Sequence, residues 1–391
     1  MARLSLNPKD LESSLWPVRV LLAAAGLLPA GGAAHALYNA AVALAVAATG
    51  ATHLIVSLRQ VQTLLNIWYG VGTAAVYCSV SGYFYNNLFR KEESRRQVLA
   101  RLVEADRALV THLQGSHRRA TILQLVLIAC FSATTIALTY YAYVNVWYGQ
   151  PTVIFFWVLA CVPLIISLIV TTNLITVVIV LSQRFKAINV SMSEMLEYAS
   201  DNLAASPVFR SNSDSVRLTG TYWSTGVCSL QLKIIQLMEL HGKLSDIVES
   251  INSLYGLPIM LDVIATFISI VTSLYYSFPR GVDGYQHDLQ FHTSVASVTR
   301  SLLHFSKLAL LISSCELATY EASKTVKLVQ KLKLLSIIDA DTRNTARVLI
   351  IDATLPLVKF SGFGFFSLDF HFLGAFVSAV TTYLVIIFQF G

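Results

Sequence analysis

Seven stretches of this chain are each long and apolar enough to cross a bilayer, and that constrains the fold more than any other feature. A membrane-spanning helix needs about 20 mostly apolar residues. Residues 34–56, 64–88, 121–147, 152–182, 251–277, 296–321 and 363–390 meet that requirement. With no water in the bilayer core, each span must satisfy its own backbone, so the expected fold class is all-α and polytopic. Composition matters only as a check. Of 391 residues 13% are charged and 55% hydrophobic, with a mean hydropathy of +0.62, whereas soluble domains carry about 25% charge. That excludes a soluble fold, and the same apolarity excludes a disordered chain.

An eighth apolar stretch, 15–30, is short and interrupted by Pro17 and Pro29. Two readings stand for it. Arg19, Val20–Leu28 and the small-x-small Ala34-His35-Ala36 resemble a secretory signal with its cleavage site. The other reading is a short helix at the membrane surface ahead of the first span.

The placement of the basic residues sets the orientation. Of the 28 Lys and Arg, 24 fall before the first span or in 90–119, 183–250 and 324–359, all on one side of the membrane. Arg59 and Arg280 fall on the other side, and Arg300 and Lys307 lie within the sixth span. Cytoplasmic loops carry the excess Lys and Arg, so the N-terminus is expected in the cytoplasm and the C-terminus outside. The expected organisation is then a cytoplasmic N-terminus with a short pre-span helix (1–33) and four transmembrane helices (34–182) with a basic cytoplasmic loop at 89–120. A cytoplasmic helical extension and flexible linker (183–250) follow, then transmembrane helices five and six (251–321), further cytoplasmic helices (322–362) and a last transmembrane helix (363–391).

Helical periodicity continues below the membrane. Leu328, Leu332, Leu335 and Ile338 recur beside Lys324, Lys327, Lys331 and Lys333, and Leu230, Ile234, Leu237, Leu240, Leu244 and Ile251 recur in 229–254. Segment 90–113 reads as a charged helix with Glu92 and Arg96 one turn apart. The Ser-, Asn- and Gly-rich 200–222 reads as a linker. The external loops 57–63, 148–151 and 278–295 are short.

Reactive chemistry is sparse. The five cysteines form no CxxC pair, so neither a disulfide framework nor a zinc site is expected. No phosphate loop, HExxH or GxSxG occurs, and Asp369 and His371, two apart, do not share a helix face. No catalytic residue, cofactor or metal is expected, and the chain is not read as an enzyme. Asp369 instead sits where an acid favours the start of the last span. The sequon Asn189-Val190-Ser191 lies on the cytoplasmic side, and the net charge of +6 belongs to the loops rather than to a nucleic-acid surface.

The last span carries the strongest pattern. Gly374, Ser378, Thr382, Val385 and Gln389 form one small or polar stripe on a helix, flanked by large apolar residues. Such a stripe must face protein or water. It serves either close helix packing or a pore lined by several copies of the chain. In the sixth span Arg300, His304 and Lys307 share a face. Lys307 and, in the fifth span, Asp262 lie at similar depths, 14 and 11 residues from the inner ends. Either they pair or share a polar cavity, or Lys307 snorkels to the surface.

Thr382-Tyr383, five apolar residues and Gln389-Phe390 resemble the C-terminal TYhhhhhQF signature of insect gustatory receptors, in the last span as that family requires. Gly364-Phe365-Phe366-Ser367-Leu368-Asp369 resembles the family's lead-in, although Gly362-Phe363 stands where Ala-Cys is common. Leu240-His241, Asn252-Ser253-Leu254-Tyr255-Gly256, Cys315-Glu316 and Glu321-Ala322 resemble its fifth and sixth span motifs. These motifs cover 230–391, and the earlier part matches in topology and charge.

The resemblance implies a seven-helix ligand-gated channel in the plasma membrane of sensory neurons, opened by a small-molecule tastant. It implies a homotetramer, or a heteromer with related receptors, embedded in lipid and passing monovalent cations and calcium. Four copies of the last span would line the pore. Gln389 and Phe390 would form the external constriction, with Thr382 and Ser378 deeper and Tyr383 packed against neighbouring helices. The cytoplasmic helices would form an anchor domain between subunits. The ligand pocket would lie among spans two to six. Its candidates are Tyr143, Trp147, Tyr148, Tyr275 and Tyr276, each of which could equally serve as an interface aromatic, with Asp262, Arg300, His304 and Lys307. Leu384 stands where the multi-sugar branch commonly has an acid, so the ending resembles the fructose-receptor branch instead. The rival readings are a G-protein-coupled receptor, which needs the opposite orientation, and a polytopic transporter.

Overall fold

The computed structural model describes residues 16–25, 27, 33–59, 74–84, 98, 100–105, 116–145, 151–204, 220–278, 285–334 and 358–390. They are almost wholly helical. In chain order the helices are α1 (Trp16–Ala24), α2 (Ala33–Arg59), α3 (74–84), α4 (Ser116–Asn145), α5 (Pro151–Ala204), α6 (Gly220–Ser277), α7 (Tyr285–Leu334) and α8 (Phe370–Phe390). A hairpin of two short antiparallel strands, β1 (Ser361–Gly362) and β2 (Phe366–Ser367), precedes α8.

Five of the described helices contain stretches able to cross a membrane: Arg118–Leu138, Val162–Glu197, Leu232–Tyr275, Gln290–Lys331 and Phe370–Gln389. A shorter apolar helix, Leu37–Thr52, lies in α2. The second expected span is represented by α3, and the rest of 64–88 lies outside the described residues. So do most of the charged segment 90–113 and the linker residues 205–219.

Three helices are far longer than a bilayer is thick. α5, α6 and α7 have 54, 58 and 50 residues, and at about 1.5 Å per residue each outreaches a 30 Å hydrocarbon core by a factor of two or more. Each therefore continues from the membrane into a packed region on the basic side of the chain. Helix α7 also begins at Tyr285, so helix replaces loop over much of the expected external segment 278–295. The hydroxyl of Ser294 donates to the Ser277 carbonyl at 2.7 Å, and the Gln290 side-chain amide donates to that of Phe278 at 2.8 Å, which closes the α6–α7 turn.

The main core runs along α5, α6 and α7, with Leu181, Phe185, Ile188, Leu244, Ile247 and Ile312 wholly buried. Its polar members are tied into a node. The side-chain amide of Asn189 donates to the Glu321 carboxylate at 2.8 Å and to the Glu321 carbonyl at 2.9 Å. The Thr325 hydroxyl donates to Asn189 Oδ1 at 2.8 Å. His241 meets Phe185 edge-on, and its Nε2 lies 3.3 Å from the Ala322 carbonyl. A second cluster packs Leu22 and Leu27, at and just beyond the end of α1, against Val46, Tyr77, Val80 and Ile166. The short pre-span helix thus packs against the bundle through Leu22, with Leu27 just beyond it.

The chain expected to enter the last span at 363 makes the hairpin first, and the helix starts at Phe370. Phe363 and Gly364 turn the chain with φ of 53° and 79°, which no helix accommodates. A Cβ on Gly362 would collide with the Phe366 ring. Asp369 then caps α8, its carboxylate accepting the Phe372 N–H at 2.8 Å. The hairpin is held on α6 by a motif visible in the sequence. Asn252 donates to the Lys359 carbonyl at 2.7 Å and accepts the Ser361 N–H at 3.1 Å. One turn on, a Cβ on Gly256 would sit 3.0 Å from the Phe363 nitrogen, so glycine allows the backbones to meet.

Candidate functional site

Two regions hold polar chemistry inside the apolar body: a cavity among α3–α7 and the stripe on α8. The cavity is centred on Lys307 of α7 and Asp262 of α6. Lys307 Nζ lies 2.8 Å from Asp262 Oδ2 and donates to Oδ1 at 2.9 Å, the two side chains being only 6% and 9% exposed. Ser167 of α5 completes the cluster. Its hydroxyl donates to Asp262 Oδ1 at 2.7 Å and accepts from Lys307 at 3.1 Å. Pairing and hydrogen bonding are what make two buried charges tolerable in so apolar a place. The cluster also ties three helices at one point.

Helix α7 presents three nitrogen-bearing side chains, Arg300, His304 and Lys307, to this cavity. They come together because residues at i, i+4 and i+7 share a helix face. Val76 of α3 and Thr135 and Leu138 of α4 line the opposite side, so five helices contribute to the walls. The cavity volume is about 30 Å³, room for roughly two water molecules. Further out, the Tyr141 hydroxyl and His292 Nδ1 lie 2.7 Å apart and join α4 to α7.

The sequence-derived pocket residues separate accordingly. Asp262, Arg300, His304 and Lys307 line one cavity. Tyr275 does not. It is 6% exposed and packs its ring 5.5 Å from that of Phe388 on α8. Trp147 and Tyr148, and the side chains of Tyr143 and Tyr276, lie outside the described residues. Ser167, Thr135 and Thr266 line the cavity without having been singled out from the sequence. A hydroxyl within an apolar run carries no periodic signal, although the buried charges at Asp262 and Lys307 could have prompted a search for one at the same depth of α5.

Helix α8 has two unlike faces. Phe376 and Val380 are buried, and Phe267 of α6 meets Phe376 and Tyr383 edge-on at 5.7 and 5.5 Å. Phe278 and Phe388 meet at 4.6 Å nearer the end. The other face carries the stripe. Gly374, Ser378, Thr382, Val385 and Gln389 are all exposed, and nothing lies within 4 Å of a Cβ built on Gly374. The Thr382 hydroxyl bonds the Ser378 carbonyl at 2.9 Å, so the helix itself satisfies it. The Phe390 side chain lies outside the described residues. Among the described residues no group of His, Cys, Asp and Glu has the spacing of a metal site.

The sequence model of a family described as 7tm chemosensory receptor matches residues 32–391. The chain is 29% identical over 163 residues to the gustatory and pheromone receptor 32a of Drosophila melanogaster, covering 39% of this chain and 32% of that one. It is 23% identical over 163 residues to the gustatory receptor for sugar taste 43a of the same fly, covering 41% and 36%. The matched stretch thus spans about a third of each relative's length. In fold the chain resembles the insect olfactory receptor OR5 from Machilis hrabei. TM-scores are 0.68 to its complex with eugenol and 0.69 to the other solved structure of it, over 97% of this chain and 99% of that one. At 12% and 11% identity that likeness speaks for the fold.

Proposed function

This chain belongs to the 7tm chemosensory receptor family, and from that premise we propose that it is a taste receptor acting as a ligand-gated, non-selective cation channel. One observation carries the channel reading. The final helix is packed through aromatic rings on one face, while its small and polar face is left uncovered by its own chain. A polar stripe at membrane depth needs protein or water against it, and a homotetramer with four copies of α8 around one axis supplies both. Monovalent cations and calcium pass along Ser378 and Thr382, and Gln389 and Phe390 form the outer constriction. The basic side of the chain, including the Asn189–Glu321–Thr325 node, faces the cytoplasm and forms the anchor between subunits. The N-terminus is cytoplasmic and the C-terminus external.

The tastant binds in the cavity beside Lys307 and Asp262. The route to the pore is short: only four residues lie between Asp262 and Phe267, the ring that bears on Phe376 and Tyr383 of α8. A ligand that favours a wider separation of α6 and α7 shifts α8 by its differential affinity for the two arrangements.

The test is whole-cell recording from cells expressing the full chain during a panel of fructose, other sugars, alkaloids and apolar compounds. Ligand-evoked cation current is expected, and Gln389→Ala or Phe390→Ala should raise basal current or alter selectivity. Second-messenger responses without current would favour the G-protein-coupled alternative, and uptake without current a transporter. If both end variants stay silent without ligand and conduct normally with it, the outer constriction is not where this reading puts it.

A further inference from the structure

Taking this cavity as the tastant's site, we propose that Ser79 and Thr171, one helical turn beyond its lining, are its floor, and that the ligand is a small, uncharged, open-chain polyol whose terminal pair of neighbouring hydroxyls seats on them. Three helices build this floor. Val76 of α3 and Ser167 of α5 line the cavity, and Ser79 and Thr171 follow them by three and four residues, on the same helix faces. The two helices pack together at this level through Val80, Tyr83, Ile169 and Val170. Gly82 brings α3 close to α6, since a Cβ built there would lie 2.9 Å from Leu261 Cδ1, beside Asp262.

The floor carries unanswered hydroxyls. Ser79 is 1% exposed and Thr171 2%. The Tyr83 hydroxyl stands beside Thr171, yet neither Ser79 Oγ nor Thr171 Oγ1 closes a hydrogen bond among the described residues. A serine or threonine in a helix ordinarily satisfies itself on the carbonyl one turn back, as Thr176 does on Thr172 at 2.8 Å. Buried polar groups are almost always bonded, so two bare hydroxyls on facing helices mark a place where a ligand supplies the partners. The charges, by contrast, are answered. Lys307 and Asp262 hold each other at 2.8 Å, and Arg300 is engaged as well. An ionic ligand would add a charge with no open counterpart at a depth where charge is costly. A hydroxyl both donates and accepts, and a neighbouring pair of them matches one open group on α3 and one on α5.

Size and mechanism agree with this assignment. A cavity of about 30 Å³ admits a hydroxymethyl group in place of about two waters, but not a sugar ring. An open chain enters end first, and its hydroxyls reach Ser79 and Thr171 as the helices part. The two hydroxyls are then bonded in the ligand-filled arrangement and bare in the closed one. That gives the ligand the differential affinity that shifting the helices requires.

The experiment applies matched probes at millimolar concentrations, below those at which polyols stabilise proteins by exclusion, to the purified full-length chain and to expressing cells. Erythritol is set against 1,4-butanediol, which lacks neighbouring hydroxyls, sodium erythronate, which is charged, and myo-inositol, which is a ring. Binding is read as thermal stabilisation and gating as current. Erythritol is expected to act at concentrations about tenfold or more below each of the other three, because a site built to bond a hydroxyl rejects the analogue without it. Ser79→Ala and Thr171→Val should each erase that preference while leaving the melting temperature of the ligand-free protein unchanged or raised, since each removes an unsatisfied buried group. No response to erythritol, equal action of any of the other three probes, or an unchanged preference in both variants would overturn the proposal. So would a lowered melting temperature of both ligand-free variants, which would mark the hydroxyls as structural. Erythritol-specific stabilisation without current would support this floor and count against the channel reading. Currents evoked only by compounds without neighbouring hydroxyls would overturn the floor and leave the channel reading intact.

Discussion

Helices α5 and α8 are both apolar enough to cross a bilayer, yet the most apolar stretch of the first is mostly buried inside the chain and that of the second is mostly not. Hydropathy says that each leaves water, but not what each enters. α5 is surrounded by its own chain, and Ser167 and Asn189 have specific partners there, at the ion pair and at the node. α8 is covered on one face, and its bare residues include Ser378 and Thr382, which tolerate water, beside Gly374, Val385 and Gln389. The difference separates a scaffold that the chain completes by itself from a surface that the chain leaves open and that, on the proposed channel reading, an assembly completes. Substitutions in the first should cost stability, and those in the second should change conduction.

The largest expected loss is at the ion pair. Asp262→Asn leaves Lys307 charged and buried, which costs about 3–5 kcal/mol, seen as a large fall in the thermal stability of detergent-solubilised protein. Replacing both partners, Asp262→Leu with Lys307→Met, should recover much of that loss and still abolish ligand-evoked current. If the single and the double variant are equally unstable, the pair is not what holds α6 to α7.

Next comes the node. Asn189→Ala removes three hydrogen bonds and leaves the Glu321 carboxylate and the Thr325 hydroxyl short of partners. A loss of about 2 kcal/mol is expected, measured by the same melting assay. A smaller contrast follows from one substitution placed on both helices. Val178 is wholly buried on α5, and Val385 is 50% exposed on α8. Val178→Ala should cost about 2 kcal/mol through lost burial and a residual cavity, and Val385→Ala less than about 0.5 kcal/mol. Equal costs would erase the distinction between the two helices.

These contrasts follow how far the sequence could be read. The apolar runs are legible because twenty residues of hydrocarbon-compatible chain have few alternatives. Asp262 and Lys307 were legible because charge at that depth demands a partner, and counting residues from the inner ends gives both depths. The small-polar stripe of α8 stands out at helical spacing against large neighbours. Ser167 and Thr266 do not stand out, since a lone hydroxyl in an apolar run can bond its own helix. The hairpin was hidden because Phe363, Phe365 and Phe366 extend the apolar run of α8 backwards. What breaks the helix there is the pair of left-handed residues Phe363 and Gly364, with Asp369 as the cap beyond them. The aromatic positions near the outer ends were the least legible, because interface, packing and pocket all favour the same residue types. Tyr275 turned out to face α8.

The smallest effect on stability is expected on the stripe itself, and it is the sharpest test of the comparison. Thr382→Val keeps the shape of the side chain and removes a hydroxyl that bonds only its own helix, at the Ser378 carbonyl. Melting should shift by less than about 0.5 kcal/mol. Under the proposed channel reading conduction should change, because a wetted ring of hydroxyls would become a ring of methyl groups that water leaves more readily. Ser378→Ala, one turn deeper on the same stripe, should act in the same direction. Single-channel conductance and reversal potentials in mixed sodium and calcium solutions measure it. Unchanged conduction together with unchanged stability would mean that the stripe rests against lipid or a neighbouring helix, and that what completes α8 is packing rather than water.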